Sequence, residues 1–193
     1  MTPDAIYGFY MAVADASPLP VVLYSFPGVV ADIDMSSDLL IRISAHPNVV
    51  GTKFTCGNSG KLARVARAMG AMTPNNPIGY WAVGGLADFI LQALVAGGSG
   101  VIAGGANITP KVCVKVFDLY RSGKLKEAME MQALLAEGDW VHTAAGVGGT
   151  KAVLDHFVKY GGGPRAPLKL PSPDTVQTLV SGMTPLLEME KSL

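Results

Sequence analysis

Residues 49–55 read Val-Val-Gly-Thr-Lys-Phe-Thr and follow the helix-breaking triplet His-Pro-Asn. A short, nearly continuous apolar run after such a break is typical of a strand buried on both faces of a parallel sheet. A similar run, Val-Val-Leu-Tyr-Ser-Phe, occupies residues 21–26 and is stopped by Pro27 and Gly28. Tyr24 and Lys53 lie at matching places in the two runs. The separation of roughly 30 residues is the length of one strand–helix–strand unit.

The same alternation continues on both sides of these two runs. Further apolar runs at residues 78–83 and 100–105 predict a third and a fourth strand, and helical spacing of apolar residues separates the four. Residues 2–4 read Thr-Pro-Asp, a helix-start signature. Strands that alternate with helices predict an α/β fold with a parallel sheet.

The alternation stops after Ser122. The remaining patterns, at residues 124–137, 151–160 and 174–190, are helical and are separated by glycine- and proline-rich breaks. We therefore expect two parts: residues 1–122, a helix followed by about four βα units, and residues 123–193, a helical C-terminal annex.

Composition limits the classes of partner. The chain of 193 residues is 49% hydrophobic and 16% charged, with a formal net charge of zero. This balance gives no electrostatic basis for binding nucleic acid or an anionic membrane, and we expect neither. The apolar content instead predicts a homo-oligomer or another protein partner. The 2 cysteines predict no disulfide framework, and the N-terminus has no secretory pattern, so we expect a reducing, cytoplasmic compartment.

Lys53 is the most unusual residue, because it lies near the end of an apolar strand. Loss of water around a lysine favours the neutral amine, which attacks carbonyl carbons. If the two strands are parallel neighbours, the Tyr24 phenol lies beside Lys53, where it can relay protons. The alternatives are a lysine that reaches solvent or an ion pair, and a core tyrosine with a satisfied hydroxyl.

Other chemistry-bearing patterns are weaker. Glycine pairs such as Gly84 and Gly85 could present backbone N–H groups to an anion, or serve only as tight turns. No segment fits a nucleotide-binding loop. The three histidines, His46, His142 and His156, lack metal-ligand spacing, so we expect no metal site and place each on a helix surface or helix end.

The segments around Leu23 to Gly28, Gly51 to Thr55 and Gly97 to Asn107 resemble the dihydrodipicolinate synthase and N-acetylneuraminate lyase family. The resemblance implies a (β/α)8-barrel class I aldolase without a cofactor, of which this chain supplies the C-terminal half-barrel and the annex. It implies that Lys53 forms the Schiff base with pyruvate or another 2-oxo acid and that Tyr24 relays protons. It also implies that backbone near Ile102 lines the substrate pocket. We expect the backbone of Gly84 and Gly85 to bind the substrate as well.

The chain departs from the family pattern in three respects. Four further βα units, with the Gly-Thr-Thr-Gly-Glu element that holds the pyruvate carboxylate in the family, have no counterpart in these residues. Ser25 stands where the family has asparagine. Dihydrodipicolinate synthases of the family have an arginine just after the proline that ends the first strand, whereas residues 28–34 contain none. The last point argues against aspartate semialdehyde as the substrate and favours 4-hydroxy-2-oxoglutarate or a 2-keto-3-deoxy sugar acid.

We therefore expect an aldolase that cleaves a 4-hydroxy-2-oxo acid and that has little activity as this chain alone. The alternatives are an inactive interaction module, which binds full-length subunits, and an imine-dependent dehydratase. A mitochondrial location stays open beside the cytoplasmic one, because the family's N-terminal part has no counterpart here.

Overall fold

A computed structural model describes all 193 residues. The chain divides into two compact units. The first unit comprises Met1–Gly85 and Gln92–Ile102, and the second comprises Leu86–Leu91 and Ala103–Leu193. The division that the sequence predicts at residue 122 stays a prediction.

Four parallel strands form the sheet of the first unit in the order β1-β2-β3-β4. The α/β expectation is confirmed. The strands are β1 (Val21–Ser25), β2 (Val49–Phe54), β3 (Trp81–Gly84) and β4 (Gly100–Val101). The helices between and around them are α1 (Pro3–Ala16), α2 (Ser37–Ser44), α3 (Ser59–Met69) and α4 (Ile90–Val95).

Side-chain caps start the first three helices. Thr2, Ser36 and Asn58 each accept a hydrogen bond from a backbone N–H in the first turn of α1, α2 and α3 respectively. These bonds satisfy donors that have no partner within the helix, so each helix begins where the capping residue stands.

One row of residues across the sheet is fully buried. Leu23, Thr52 and Ala82 are register neighbours on β1, β2 and β3, and all three have no exposed surface. Thr52 Oγ1 lies 2.6 Å from the Tyr80 hydroxyl, which lies 2.6 Å from Ser44 Oγ on α2. This chain of three buried hydroxyls fixes helix α2 to strand β2. Burial raises the pKa of Tyr80.

The first unit also contains a buried lysine that the sequence does not single out. Lys61 on α3 is only 3% exposed, and its ammonium group pairs with the Asp34 carboxylate. A buried ammonium needs such a partner, because the charge has lost most of its water. Lys61 is therefore held as a structural ion pair.

Two of the expected strands are shorter than the apolar runs. β3 begins at Trp81 and not at Ile78, which is 80% exposed. Gly79 lies between them with a φ of 147°, a backbone conformation that breaks the extended run. β4 contains only Gly100 and Val101, and a 3₁₀ turn (Gly105–Asn107) follows soon after. The expectations of strands at 78–83 and 100–105 were wrong in extent.

Helices dominate the second unit: α5 (Pro110–Arg121), α6 (Leu125–Ala144), α7 (Gly146–Val158) and α8 (Pro173–Ser192). The glycine-rich residues 146–150, expected to lie outside a helix, form the first turns of α7. Gly148 and Gly149 are buried there at positions where a Cβ would meet neighbouring atoms, so close packing explains these glycines. No helix of the chain is both long and apolar enough to cross a membrane.

His142 on α6 contradicts its expected place on a helix surface, because it is only 2% exposed. Its Nε2 atom lies 3.1 Å from Asp139 Oδ1, and its Nδ1 atom lies 2.9 Å from Thr150 Oγ1. Both ring nitrogens therefore have partners, and these partners make burial of the imidazole tolerable.

Candidate active site

Tyr24 and Lys53 are paired across two neighbouring strands. Tyr24 on β1 is the direct register partner of Lys53 on β2, near the carboxyl end of each strand. The Lys53 ammonium nitrogen lies 4.5 Å from the centroid of the Tyr24 ring. In parallel α/β sheets, ligands bind at the carboxyl ends of the strands. The two residues singled out in the sequence thus come together at the edge of the sheet where chemistry is expected.

Both side chains are accessible. Tyr24 is 43% exposed and Lys53 is half-buried. The Lys53 ammonium is attracted to the electron-rich face of the phenol ring, which limits the directions in which the lysine can point. The Tyr24 ring in turn packs against the Phe26 ring, with 5.6 Å between the centroids. A small substrate can therefore reach an amine whose position is restrained.

The sheet face that carries these two residues is apolar farther from the carboxyl ends. Val22, Gly51 and Trp81 are register neighbours on that face, one layer below Tyr24 and Lys53. Val22 is 38% exposed and Trp81 is 44% exposed. A Cβ at Gly51 would lie 2.6 Å from Trp81 Cβ and 2.8 Å from the Trp81 carbonyl oxygen, so Gly51 allows β3 to approach closely at Trp81.

Gly84, Gly85 and Ile102 lie at the carboxyl ends of β3 and β4. The Gly84 carbonyl accepts a hydrogen bond from the Ile102 N–H at 3.0 Å, which ties the two strand ends together. Gly85 packs against Thr55, since a Cβ there would meet the Thr55 side chain and lie 2.7 Å from Thr55 Cα. Phe54, one residue after Lys53, is the register partner of Gly84. Gly84 therefore ends the strand that neighbours the Lys53 strand, and Gly85 and Ile102 lie just beyond the ends of β3 and β4.

Thr55 is a candidate that the sequence analysis missed. Its Oγ1 atom is buried and has no hydrogen-bond partner, and the residue follows Lys53 by two positions. Buried hydroxyls in proteins are normally paired, so an unpaired one beside a candidate site suggests a ligand or water partner. The signal in the sequence is that the apolar run at 49–55 includes Thr55, and the two-residue period of a strand predicts residues 53 and 55 on one face. In the structure β2 ends at Phe54, and Thr55 begins the turn that follows.

The cavity that Tyr24 lines is small and apolar. It has a volume of about 180 Å³ and is bounded by residues of α1 and of the segment after β1, such as Phe9 and Val30. Small-molecule sites commonly enclose about 300–1,000 Å³. No group of three or more histidine, cysteine or acidic side chains is placed to hold a metal ion. The chemistry available here is that of an amine, a phenol, a hydroxyl and backbone amides.

Comparisons with known proteins identify the relatives of this chain. The chain is 53% identical over 190 residues to an L-threo-3-deoxy-hexylosonate aldolase of Hypocrea jecorina, covering 98% of this chain and 60% of that protein. It is 42% identical over 189 residues to a protein of Emericella nidulans named "Probable 4-hydroxy-2-oxoglutarate aldolase, mitochondrial", covering 98% of this chain and 59% of that protein. The chain thus spans about 60% of the length of the first of these relatives.

A solved structure has the same fold. A dihydrodipicolinate synthase family protein from Coccidioides immitis matches with a TM-score of 0.84 and 33% identity, over 100% of this chain and 62% of that one. The expectation of a partial (β/α)8-barrel fold is thereby confirmed. The sequence profile of the dihydrodipicolinate synthetase family matches residues 1–168. This chain therefore belongs to the dihydrodipicolinate synthetase family.

Proposed function

We propose that these residues carry the imine-forming centre of a class I aldolase, which splits a 4-hydroxy-2-oxo acid into pyruvate and an aldehyde. The observation that carries the proposal is the Lys53 ammonium, 4.5 Å from the centroid of the Tyr24 ring at the carboxyl ends of paired strands. Family membership and the names of the two aldolase relatives support it.

The roles follow from the chemistry of the groups. The neutral Lys53 amine attacks the C2 carbonyl carbon, and loss of water leaves an iminium ion. The electron pair of the C3–C4 bond then moves into the iminium as the C4 hydroxyl gives up its proton. This step releases the aldehyde and leaves an enamine. Protonation at C3 and hydrolysis return Lys53 and pyruvate, and Tyr24 relays the protons in these steps.

Backbone and hydroxyl groups would orient the substrate. In the proposed complex, the backbone around Gly84, Gly85 and Ile102 lines the 2-oxo acid pocket, and the unpaired Thr55 hydroxyl bonds to a polar group of the substrate. None of these roles needs a cofactor or a metal ion, and both absences remain predictions. The named aldolase relatives support either 4-hydroxy-2-oxoglutarate or a 3-deoxy sugar acid as the substrate class.

Trapping the imine tests the proposal. Incubation with pyruvate and borohydride should add one reduced adduct to the peptide that contains Lys53. Lys53→Ala should abolish the adduct, whereas Lys115→Ala, which removes an exposed lysine on α5, should leave it unchanged. An adduct on another lysine of the folded protein, with Lys53 unlabelled, would contradict the assignment.

Turnover by the 193 residues alone should be negligible. By resemblance to the family, the donors that hold the pyruvate carboxylate lie outside these residues, and the cavity at Tyr24 is small. Loss of one preorganised anion-stabilising donor costs about a hundred- to a thousand-fold in rate. An assay that couples pyruvate release to lactate dehydrogenase checks this expectation. Turnover near the common enzyme range of about 1–1,000 per second would contradict it.

An interaction module is the second candidate function. The exposed Val22 and Trp81 side chains on one sheet face favour it, because exposed apolar surface of this kind is often covered by a partner. Association with a second copy or with a full-length subunit would cover it. Light scattering that shows a stable monomer without dye binding would argue against this role. A dehydratase would give the same trapped imine but no aldehyde, so the coupled assay separates it from an aldolase.

The compartment remains a prediction. Composition favours the cytoplasm, and the name of the Emericella nidulans relative supports a mitochondrial location.

A further inference from the structure

Helix α6 carries a buried amide, Gln132, both ends of which bind the backbone of one turn. Gln132 is 3% exposed. Its Oε1 atom accepts a hydrogen bond from the Leu91 N–H at 2.9 Å, and its Nε2 donates to the Ala87 carbonyl at 3.0 Å. Both bonds are buried, so water does not compete for them.

The positions of these two backbone groups are informative. Ala87 and Leu91 are four residues apart, so a regular α-helix would join this carbonyl and this N–H directly. Here the Gln132 amide stands between them and bonds to both. A side chain that inserts into the helical hydrogen-bond ladder changes the local path of the backbone. The segment accordingly starts as a 3₁₀ turn (Ala87–Phe89) and becomes α-helical only at Ile90.

This turn follows Gly85 with only Leu86 between them. A change in the path of residues 87–91 would act on the covalently connected backbone at Gly85, one of the groups proposed to line the 2-oxo acid pocket. If Gln132 were apolar, the ladder could close or two buried backbone groups would lose their partners. Either outcome would alter the same short segment.

We infer that Gln132 is a positioning residue for the 2-oxo acid site, acting through the turn that begins after Gly85. The inference rests on the function proposed above. Gln132 does not touch the substrate, and it takes no part in imine formation. Its role is to hold the backbone at Gly85 in the geometry that binds the 2-oxo acid.

Two substitutions separate this role from simple packing. Gln132→Met keeps the volume and removes both bonds. Gln132→Glu also lacks the N–H donor when ionised, but its protonated carboxyl has one donor and one acceptor and can remake both bonds. Gln177→Met is the matched control, since Gln177 is exposed on α8 of the same unit.

The experiment measures three quantities on the 193-residue chain. These are the pyruvate concentration that gives half-maximal borohydride trapping at Lys53, the limiting adduct yield, and hydrogen exchange at the Leu91 amide. Gln132→Met should raise the half-maximal concentration about tenfold to a hundredfold, because small displacements of binding groups have large effects. The limiting yield should not change, and Leu91 exchange should accelerate. Gln177→Met should match the unsubstituted chain in all three.

Gln132→Glu tests a pH dependence that a residue with a packing role alone would not produce. The ratio of its half-maximal concentration to that of the unsubstituted chain should approach 1 when the pH falls from about 8 to about 5, as the buried carboxyl becomes protonated. A constant ratio would overturn the inference. So would faster Leu91 exchange in Gln132→Met with unchanged half-maximal trapping, since this would leave Gln132 a structural residue only.

Failure of the proposed function gives a different result. If the unsubstituted chain forms no adduct at Lys53, the aldolase proposal fails and the substrate-positioning role fails with it. The Leu91 exchange then still shows whether Gln132 holds the turn. If only the inference about Gln132 fails, pyruvate and borohydride still form the adduct at Lys53 in the unsubstituted chain and in every variant.

Discussion

Tyr80→Phe removes the central member of the buried hydroxyl chain in the first unit. The Tyr80 hydroxyl lies 2.6 Å from both Ser44 Oγ and Thr52 Oγ1, which belong to residues 4% and 0% exposed. Each of the two buried hydroxyls that loses its partner costs about 1–3 kcal/mol, so we expect a loss of about 2–6 kcal/mol in the free energy of unfolding. The free energy of unfolding of most proteins is about 5–15 kcal/mol, so this loss is a large part of it.

A double-mutant cycle measured by urea unfolding tests the reasoning. Thr52→Val replaces one partner by an apolar group of the same shape, so Tyr80→Phe should cost at least about 1 kcal/mol less in its presence. Tyr160→Phe is the control, because Tyr160 is 70% exposed and should change stability by less than about 0.5 kcal/mol. Additive effects of Tyr80→Phe and Thr52→Val would refute the proposed coupling.

Tyr80 should also make the stability of the fold depend on pH. Burial raises the pKa of Tyr80, whereas hydrogen bonds from Ser44 and Thr52 lower it by less. The folded protein then keeps a phenolic proton that the unfolded chain releases above its ordinary pKa of 10.0. The contribution to stability is complete below that pH and is lost as the pH rises further. Tyr80→Phe should show a smaller loss of stability over this alkaline range.

Three further outcomes follow from buried groups and close contacts. Burial, and secondarily the Asp139 charge, raises the pKa of Asp88, so stability that is present below its ordinary pKa is lost as the pH rises. Asp88→Asn should therefore gain stability relative to the unsubstituted chain in urea unfolding at neutral pH, and a gain that persists in acid would contradict this cause. Burial raises the pKa of Cys113 to about 12, so iodoacetamide near about pH 8 should label Cys56 and spare Cys113 until the chain unfolds, as peptide mass spectrometry would show. Gly85→Ala should cost about 1–3 kcal/mol, because its Cβ would overlap Thr55, whereas Gly104→Ala, with no atom within 4 Å of the added Cβ, should be near neutral in thermal unfolding.

The parts of the site that local patterns determine could be predicted from the sequence. The nearly continuous apolar runs at 21–26 and 49–55 are typical of buried strands. Because Tyr24 and Lys53 lie at matching places in these runs, a parallel sheet puts them side by side. The helix start at Thr2 was also accessible, because a capping residue followed by proline and an acidic residue is a local signature. The assigned roles of Lys53, Tyr24, Gly84, Gly85 and Ile102 remain predictions.

The parts that depend on distant contacts could not be predicted. His142 shows no sign of burial in the sequence, since its partners Asp139 and Thr150 are ordinary polar residues of helices. Gln132 likewise shows no sign of burial in the sequence, because its hydrogen-bond partners are backbone groups about forty residues away that only the folded chain brings near. The run at 100–105 forms a strand only at Gly100 and Val101, and the chain enters a 3₁₀ turn at Gly105.

The Lys61–Asp34 pair has a practical consequence for chemical probing of the folded chain. An amine-directed acylating reagent reaches exposed lysines and the half-buried Lys53, but Lys61 is enclosed and engaged with a carboxylate. Acylation of Lys61 therefore requires the region around α3 to open. In a time course of acylation followed peptide by peptide, the rate at which Lys61 is acylated would report how often the first unit opens. The same sample would report the reactivity of Lys53.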